Sequence, residues 1–245
     1  MAELAALRRV AIVPAYNEEE CIAGVIDELR AFDEGLEVVV VDDGSADRTA
    51  DVARARGAAV LRLPYNLGIG GCVQTGFRYA DERGFDIAVR VDGDGQHDPS
   101  QLAAVVEPVI RGDTDIAVGS RYLGARGDGY RSSVPRRVGI RLLARVVSLL
   151  TRQRITDPTS GFQALNRKAI MLFAADYPHD YPEVEAIVLV ERHRLRLVEV
   201  PIAMRPRTAG RSSIRTLSSV YYMVKVLVAL FVGSFRRYST PLEEK

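Results

Sequence analysis

Apolar residues fall along the first half of the chain in short, nearly unbroken runs, each followed by polar residues and then a helical repeat. "RRVAIVP" (8–14), "LEVVVVDD" (36–43), "AAVLRL" (58–63), "FDIAVRV" (85–91) and "DIAVGSR" (115–121) are the runs. Continuous rather than alternating apolarity predicts strands covered on both faces. Between them, "EEECIAGVIDELRAF" (18–32), with Asn17 as its expected N-cap, "ADRTADVARARG" (46–57), "NLGIGGCVQTGFRYADERG" (66–84) and "SQLAAVVEPVIRG" (100–112) carry helical spacing. Strands alternating with helices of this length predict an α/β fold, a mostly parallel sheet with helices on both faces.

The second half is less regular. "GARGDGYRSSVP" (124–135) reads as a polar loop, and "RRVGIRLLARVVSLLT" (136–151) as an amphipathic helix punctuated by Arg136, Arg137, Arg141 and Arg145. "TDPTSGFQALNR" (156–167) is a turn into a short strand, "PEVEAIVLVERHR" (182–194) a helix, and "LRLVEVPIAMRPR" (195–207) a strand ending against Pro206. The stretch 220–235 is mostly apolar but holds Lys225, and a spanning helix needs roughly 20 apolar residues. An amphipathic helix lying in a membrane interface fits it better, with an oligomer interface or a core helix as the alternative. The expected division is a domain over 1–211, with halves meeting near 122, and a helical tail over 212–245.

Charge is split along the chain. Residues 1–130 hold 13 Lys/Arg against 23 Asp/Glu, a net −10, and residues 131–245 hold 20 against 9, a net +11. The acidic half suits a metal site and the basic half an anionic partner. No nucleic-acid recognition module is present, so a phosphate-bearing substrate or a membrane surface is the expected partner. Cys21 and Cys72 form no metal-ligand pair, and the opening "MAELAAL" is too short and too acidic for a signal peptide; a cytoplasmic protein is expected.

The densest chemistry is "VRVDGDGQHDP" (89–99), where an apolar strand runs straight into Asp92, Asp94 and Asp98. The carboxyl ends of parallel strands are where such sheets bind ligands. Three neighbouring carboxylates repel one another unless a cation or several donors hold them. A dinucleotide fold would place G-x-G-x-x-G after the first strand. Here that strand runs into "PAYNEEE", and the later "NLGIGG" has Val73 where the last motif glycine belongs.

Four strand ends therefore converge: "PAYNEE" (14–19), "VDDGS" (41–45), "DGDGQHDP" (92–99) and "GSRY" (119–122). In this order and spacing they resemble the family 2 glycosyltransferases of the GT-A fold. With "TDPTSGFQALNR", "EVPI" (199–202) and "RTAGRSS" (207–213), the likeness is to dolichyl- and polyprenyl-phosphate sugar transferases, over about residues 8–215.

The resemblance implies a Rossmann-like GT-A sheet and inverting transfer of a sugar from a UDP- or GDP-sugar to a polyprenyl phosphate. The nucleotide-binding positions it carries over are Pro14, Ala15, Tyr16, Asn17, Glu18, Asp42, Asp43, Gly71, Asp92 and Gly93. Asp42 and Asp43 have a second reading as turn or cap acids used with Ser45. Asp94 and Gln96 are the implied ligands of Mg²⁺ or Mn²⁺, hard cations that take oxygen; Asp92 lies by the sugar-phosphate, and His97 is a further ligand or a structural neighbour. Asp92, Asp94 and Arg121 form the implied catalytic set, and Arg121, Arg131, Arg136 and Arg137 the acceptor-phosphate set. Arginine suits phosphate through its bidentate fork.

A phosphate acceptor needs no general base, its second pKa being about 6. A glycan or protein hydroxyl would need one, for which Asp157, Glu183 and Glu185 are the candidates. A nucleotide-sugar-binding subunit without catalysis is the remaining alternative. Relatives often carry Ser-Lys where this chain has Ser212-Ser213, leaving Arg211 or Arg215 to supply that charge. Expected partners are the nucleotide sugar, the lipid phosphate, a membrane surface or a small membrane protein, and a second copy of the chain.

Overall fold

The computed structural model describes residues 7–124 and 134–205 together with Lys225, Val226 and Val228, the side chains of 134–136 aside. The strands are β1 (Arg9–Ala15), β2 (Leu36–Asp42), β3 (Ala59–Arg62), β4 (Ile87–Arg90), β5 (Ile116–Ser120), β6 (Gln163–Asn166) and β7 (Leu197–Pro201). The helices are α1 (Ile22–Phe32), α2 (Thr49–Ala55), α3 (Gly68–Glu82), α4 (Leu102–Ile110), α5 (Val134–Thr151), α6 (Arg167–Ala175) and α7 (Pro182–Arg192).

The seven strands form one sheet in the order β3-β2-β1-β4-β6-β5-β7. β1 is parallel to β2 and β4, β2 to β3, and β5 to β7. Only β6 runs antiparallel, between β4 and β5, with Arg90 opposite Gln163 and Val118 opposite Gln163 on its other side. The chain enters β6 from the carboxyl edge, through the "TDPTS" turn, so that turn lies beside the ends of β4 and β5.

Successive β1 side chains go to opposite faces, as strand pleating requires. Val10 and Ile12 join a core with α3, α6 and α7, while Ala11, Val13 and Ala15 join a second core with α1 and α4. Burial of both faces explains why the runs read as continuously apolar, and each such side chain contributes about 1.5–3 kcal/mol. Gly76 lets α3 lie directly on β1: a Cβ there would come within 2.3 Å of Ile12 Cγ2.

Several elements differ from their sequence-based bounds. α1 starts at Ile22, not after Asn17; Asn17 adopts φ 54° and its Oδ1 accepts the Ala46 N–H at 2.9 Å instead of capping a helix. α2 starts late because the Asp47 carboxylate ties up the Thr49 N–H and hydroxyl in a local turn. α6 was not anticipated; it follows β6 without a break, started by Asn166 Oδ1 accepting the Ala169 N–H at 3.1 Å. β7 ends at Pro201, five residues before Pro206.

The expected division at residue 211 and most of the tail lie outside the described residues. Within the tail, Val226 is fully buried in the α3/α6/α7 core, and Lys225 and Val228 are exposed. Among the described residues no helix is long and apolar enough to cross a membrane.

Candidate active site

The site is assembled where β1, β2, β4 and β5 end. The Pro14 carbonyl accepts the Gly93 N–H at 3.2 Å and the Ala15 carbonyl accepts the Asp43 N–H at 2.9 Å, lashing both acidic loops to the end of β1. Beyond them, the N–H groups of Asn17 and Glu18 donate to Ser45 Oγ and Thr49 Oγ1, each at 2.9 Å. These bonds hold Tyr16 at the rim, half exposed.

The two adjacent aspartates do different work. Asp43 accepts the Leu67 and Gly68 N–H groups at 2.7 and 3.0 Å, so it caps α3. Burial pushes its carboxyl above the usual range, beyond what those two bonds pull down. Asp42 is fully buried; its Oδ1 takes the Ser45 N–H at 3.0 Å, while Oδ2 has no hydrogen bond and Arg62 Nε stands 3.4 Å away. Asp42 thus sits beneath the loops, paired with Arg62 by charge. Gly71 lies in the first turn of α3, buried, where a Cβ would meet Leu67 Cβ at 2.9 Å.

After β4 the chain makes a tight turn through Gly95, at φ 71°. Asp94 Oδ1 accepts the Gln96 N–H at 3.0 Å, and Asp98 caps the following turn through the Ser100 N–H. His97 is buried and stacked on Phe162 with ring centroids 4.9 Å apart. Its Nδ1 accepts the Asp92 N–H at 3.0 Å, so in the neutral ring the proton sits on Nε2, 3.8 Å from Asp92 Oδ2. Burial holds its pKa below the usual value in spite of Asp92 and Asp94 nearby. The Nδ1 of His97 is thus taken by the backbone of its own loop and its ring face by Phe162.

Two arginine–carboxylate pairs lie beside this turn. Arg90, 2% exposed, gives Nη2 to Glu183 Oε1 at 2.7 Å and stands 3.5 Å from Asp92 Oδ1. Arg121 forks onto the fully buried Asp157, Nε to Oδ2 at 2.6 Å and Nη2 to Oδ1 at 2.7 Å, and reaches Thr159 Oγ1 at 2.7 Å. Glu199 supports that turn from β7, accepting the N–H groups of Thr156 and Asp157 and the Thr156 hydroxyl. Burial raises the Asp92 carboxyl, but His97 and the permanent charges of Arg90 and Arg121 outweigh it and hold the group below the usual carboxylate range.

Of the expected acceptor arginines, Arg121 is buried in its fork and Arg137 is exposed on α5. Arg136 lies in the first turn of α5 with its side chain not described, and Arg131 lies outside the described residues, as do Arg211, Ser212, Ser213 and Arg215. Sequence reasoning missed Arg90, Tyr177 and Gly161. The one available signal was an arginine set between Val89 and Val91 in an otherwise apolar strand.

The donors fit a hard divalent cation: Asp94 and Gln96 offer oxygen on one turn, tied together by the Gln96 N–H on Asp94 Oδ1. Among the described residues no group of three His, Cys, Asp or Glu side chains is placed to enclose a metal.

Residues 10–172 match the profile of glycosyl transferase family 2. The chain belongs to this family. It is 33% identical over 219 residues to an undecaprenyl-phosphate mannosyltransferase of Micrococcus luteus, covering 84% of this chain and 87% of that one. It is 30% identical over 210 residues to a UDP-N-acetylglucosamine–dolichyl-phosphate N-acetylglucosaminyltransferase of Methanococcus voltae, covering 78% and 83%. Among solved structures it resembles glucosyl-3-phosphoglycerate synthase of Mycobacterium tuberculosis, crystallised with Mn²⁺ and UDP. The TM-score is 0.71 at 23% identity, covering 95% of this chain and 81% of that one. The fold is therefore GT-A, as the motif set implied, and the family 2 transferase is an enzyme of the sugar-transfer class.

Proposed function

We propose that this transferase moves one sugar, with inversion, from a nucleotide diphosphate sugar to a polyprenyl phosphate. The observation that carries the acceptor class is the state of two of the three carboxylates that would serve a hydroxyl, the third, Glu185, lying in the first turn of α7. Asp157 is fully buried with both oxygens taken by Arg121, and Glu183 is paired with Arg90. Neither is placed as a ready base, and a phosphate oxygen, already ionised near neutral pH, needs none. That oxygen attacks the anomeric carbon opposite the leaving group; the new C–O bond forms as the old one breaks, and the nucleoside diphosphate departs with the electron pair.

Asp94 and Gln96 would hold the divalent cation, with Asp92 beside the sugar-phosphate. When bound, that ion acts as a Lewis acid on the departing diphosphate. Pro14, Tyr16 and Asn17 lie at the end of β1 on the side offered to the nucleoside, with Asp42 buried behind them. The relatives named above support the lipid acceptor, since both carry a polyprenyl- or dolichyl-phosphate in their names.

A lipid acceptor also requires a place at the bilayer, and this reading puts the enzyme peripherally on its cytoplasmic face. The outward side of α5 supports it: Val138, Leu142 and Leu149 are 59, 46 and 80% exposed, interleaved with exposed Arg137, Arg141 and Arg145. Each such cation contributes about 1 kcal/mol at an anionic surface.

The test is a panel of UDP- and GDP-sugars offered with a short polyprenyl phosphate and Mn²⁺ or Mg²⁺, with the lipid product analysed. Sugar-phosphate lipid is expected, and Arg137→Ala should weaken lipid use while nucleotide affinity holds. Good transfer to neutral glycans with the lipid phosphate ignored would overturn the acceptor assignment.

A further inference from the structure

Arg90 is an anomaly in β4. It is among the largest fully buried side chains of the protein, on a strand whose neighbours are apolar. A buried cation is tolerated where partners meet every donor. Here they do not: Nη2 bonds Glu183 at 2.7 Å, Nη1 reaches the Tyr177 hydroxyl only at 3.3 Å, and Nε has no partner. On the other side, Asp92 Oδ1 is buried without a hydrogen bond, 3.5 Å from Nη2. A network built for stability alone would satisfy these atoms or dispense with them.

The arrangement has an orienting consequence. The Asp92 side chain is 35% exposed although its Oδ1 is buried, so the oxygen presented outward is Oδ2. Arg90 holds Oδ1 inward by charge, and Glu183, from α7, holds Arg90. Gly161 keeps the space open, since a Cβ there would lie 2.9 Å from Arg90 Nη2 and 3.1 Å from Asp92 Oδ1. Three separate parts of the chain thus serve the direction of one carboxylate.

We propose that Arg90 is a positioning residue for sugar transfer, fixing Asp92 so that a single oxygen faces the donor sugar-phosphate and tying that orientation to Glu183. The proposal rests on the reading of Asp92 as a donor-facing group. Arg90 itself touches no substrate. Its removal should misdirect Asp92 while leaving the nucleoside contacts at the ends of β1 and β2 in place.

The variants are Arg90→Met, Arg90→Lys and Glu183→Gln, each checked for a cooperative melt and measured well below its melting temperature. In the transfer assay Arg90→Met should lower kcat by about 30-fold or more while donor KM changes by no more than about threefold, the split expected when an interaction matters most in the transition state. Arg90→Lys should regain about a tenth to a third of the activity, and Glu183→Gln should lose roughly five- to tenfold. UDP and GDP affinities, measured by calorimetry with Mn²⁺, should stay within about threefold of wild type.

A kcat for Arg90→Met near wild type, or losses in all three variants that simply track melting temperature, would overturn the proposal. If Arg90→Met does not fold, the ranking of Arg90→Lys and Glu183→Gln decides by the same criteria. If the wild type transfers no sugar, the proposed function fails separately, and Arg90 is judged on binding. Loss in Arg90→Lys or Glu183→Gln of the preference for UDP-glucose over UDP, or GDP-mannose over GDP, then supports it, and an unchanged preference overturns it.

Discussion

Removing one partner of the Arg121–Asp157 fork should cost far more than removing both. Arg121 is 7% exposed and Asp157 not at all, with two bonds at 2.6 and 2.7 Å. Deleting one member of such a pair leaves a buried charge alone, a cost of about 3–5 kcal/mol. Arg121→Met should therefore lose about 3–4 kcal/mol at pH 7.

Arg121→Met combined with Asp157→Asn removes both charges, and the asparagine oxygen still accepts the Arg121 backbone N–H, now held by Asp157 Oδ2 at 3.1 Å. The double variant should lose only about 1–2 kcal/mol, giving a coupling of several kcal/mol in the cycle. For a chain of this size 1 kcal/mol moves the melting temperature by about 2–4 °C, so the single variant should melt roughly 6–16 °C low. Urea unfolding of the single and double variants at pH 7 measures both terms. Additive losses, or a single-variant cost under about 1 kcal/mol at pH 7, would mean that the fork is solvated and the reasoning wrong.

Further outcomes follow from single sites. Asp94→Asn should abolish transfer with an unchanged melting curve, and excess EDTA should silence the wild type; full activity in either condition removes Asp94 and the cation from the reaction. Gly76→Ala should destabilise by about 1–3 kcal/mol although alanine favours helix, because its Cβ would meet Ile12 Cγ2 at 2.3 Å; stabilisation in urea would refute the close approach of α3 to β1. Burial works to raise the Asp115 carboxyl, but bonds from Arg196 and Asn166 hold it below the usual range. Its contribution is therefore full above the ordinary aspartate value and lost as pH falls through the lower folded value. Acid titration of Asp115→Asn should show a shallower loss of stability below about pH 4 than wild type.

The sheet was legible because both of its faces are covered, which leaves unbroken runs such as "VAIV" and "VVVV" at recognisable spacing. The short strand "QALN" was legible too, as the end of the "TDPTS" turn, but its antiparallel direction was not, because that depends on where the turn docks. α6 was missed for a related reason. Nothing separates it from β6, and the Asn166 cap belongs to both elements. Asn17 looked like a helix cap by composition, but a contact with Ala46, 29 residues away, claimed its side chain.

The same limit governs the site. Asp92, Asp94 and Gln96 are adjacent in sequence and end a recognisable strand, so their convergence was readable. Asp157 and Glu183 read equally well as acids for proton transfer until their partners were seen, 36 and 93 residues away. Glu199 was visible only as part of "EVPI", whereas its work is to hold the "TDPTS" turn through three donors. A carboxylate's identity is local, but its charge state and direction belong to whatever folds against it.

That distinction answers how three carboxylates coexist in "DGDGQHD". Asp98 is met by Arg205 at 2.8 Å, from beyond β7, and the same arginine reaches Glu28 on α1. Asp92 is met by Arg90 from beneath, and Asp94 is turned onto its own loop through the Gln96 N–H. Asp92 thus lies against an arginine two residues back on β4, and Asp98 against one from beyond β7. Repulsion that would otherwise splay the turn is reduced at both ends of the motif, while Asp94 stays beside Gln96. An oxygen-ligated cation bridging to a diphosphate needs that balance: enough negative charge to attract it, and not so much that the anionic substrate is turned away. The arginines behind the acidic loop therefore set its charge together with the aspartates in front of it.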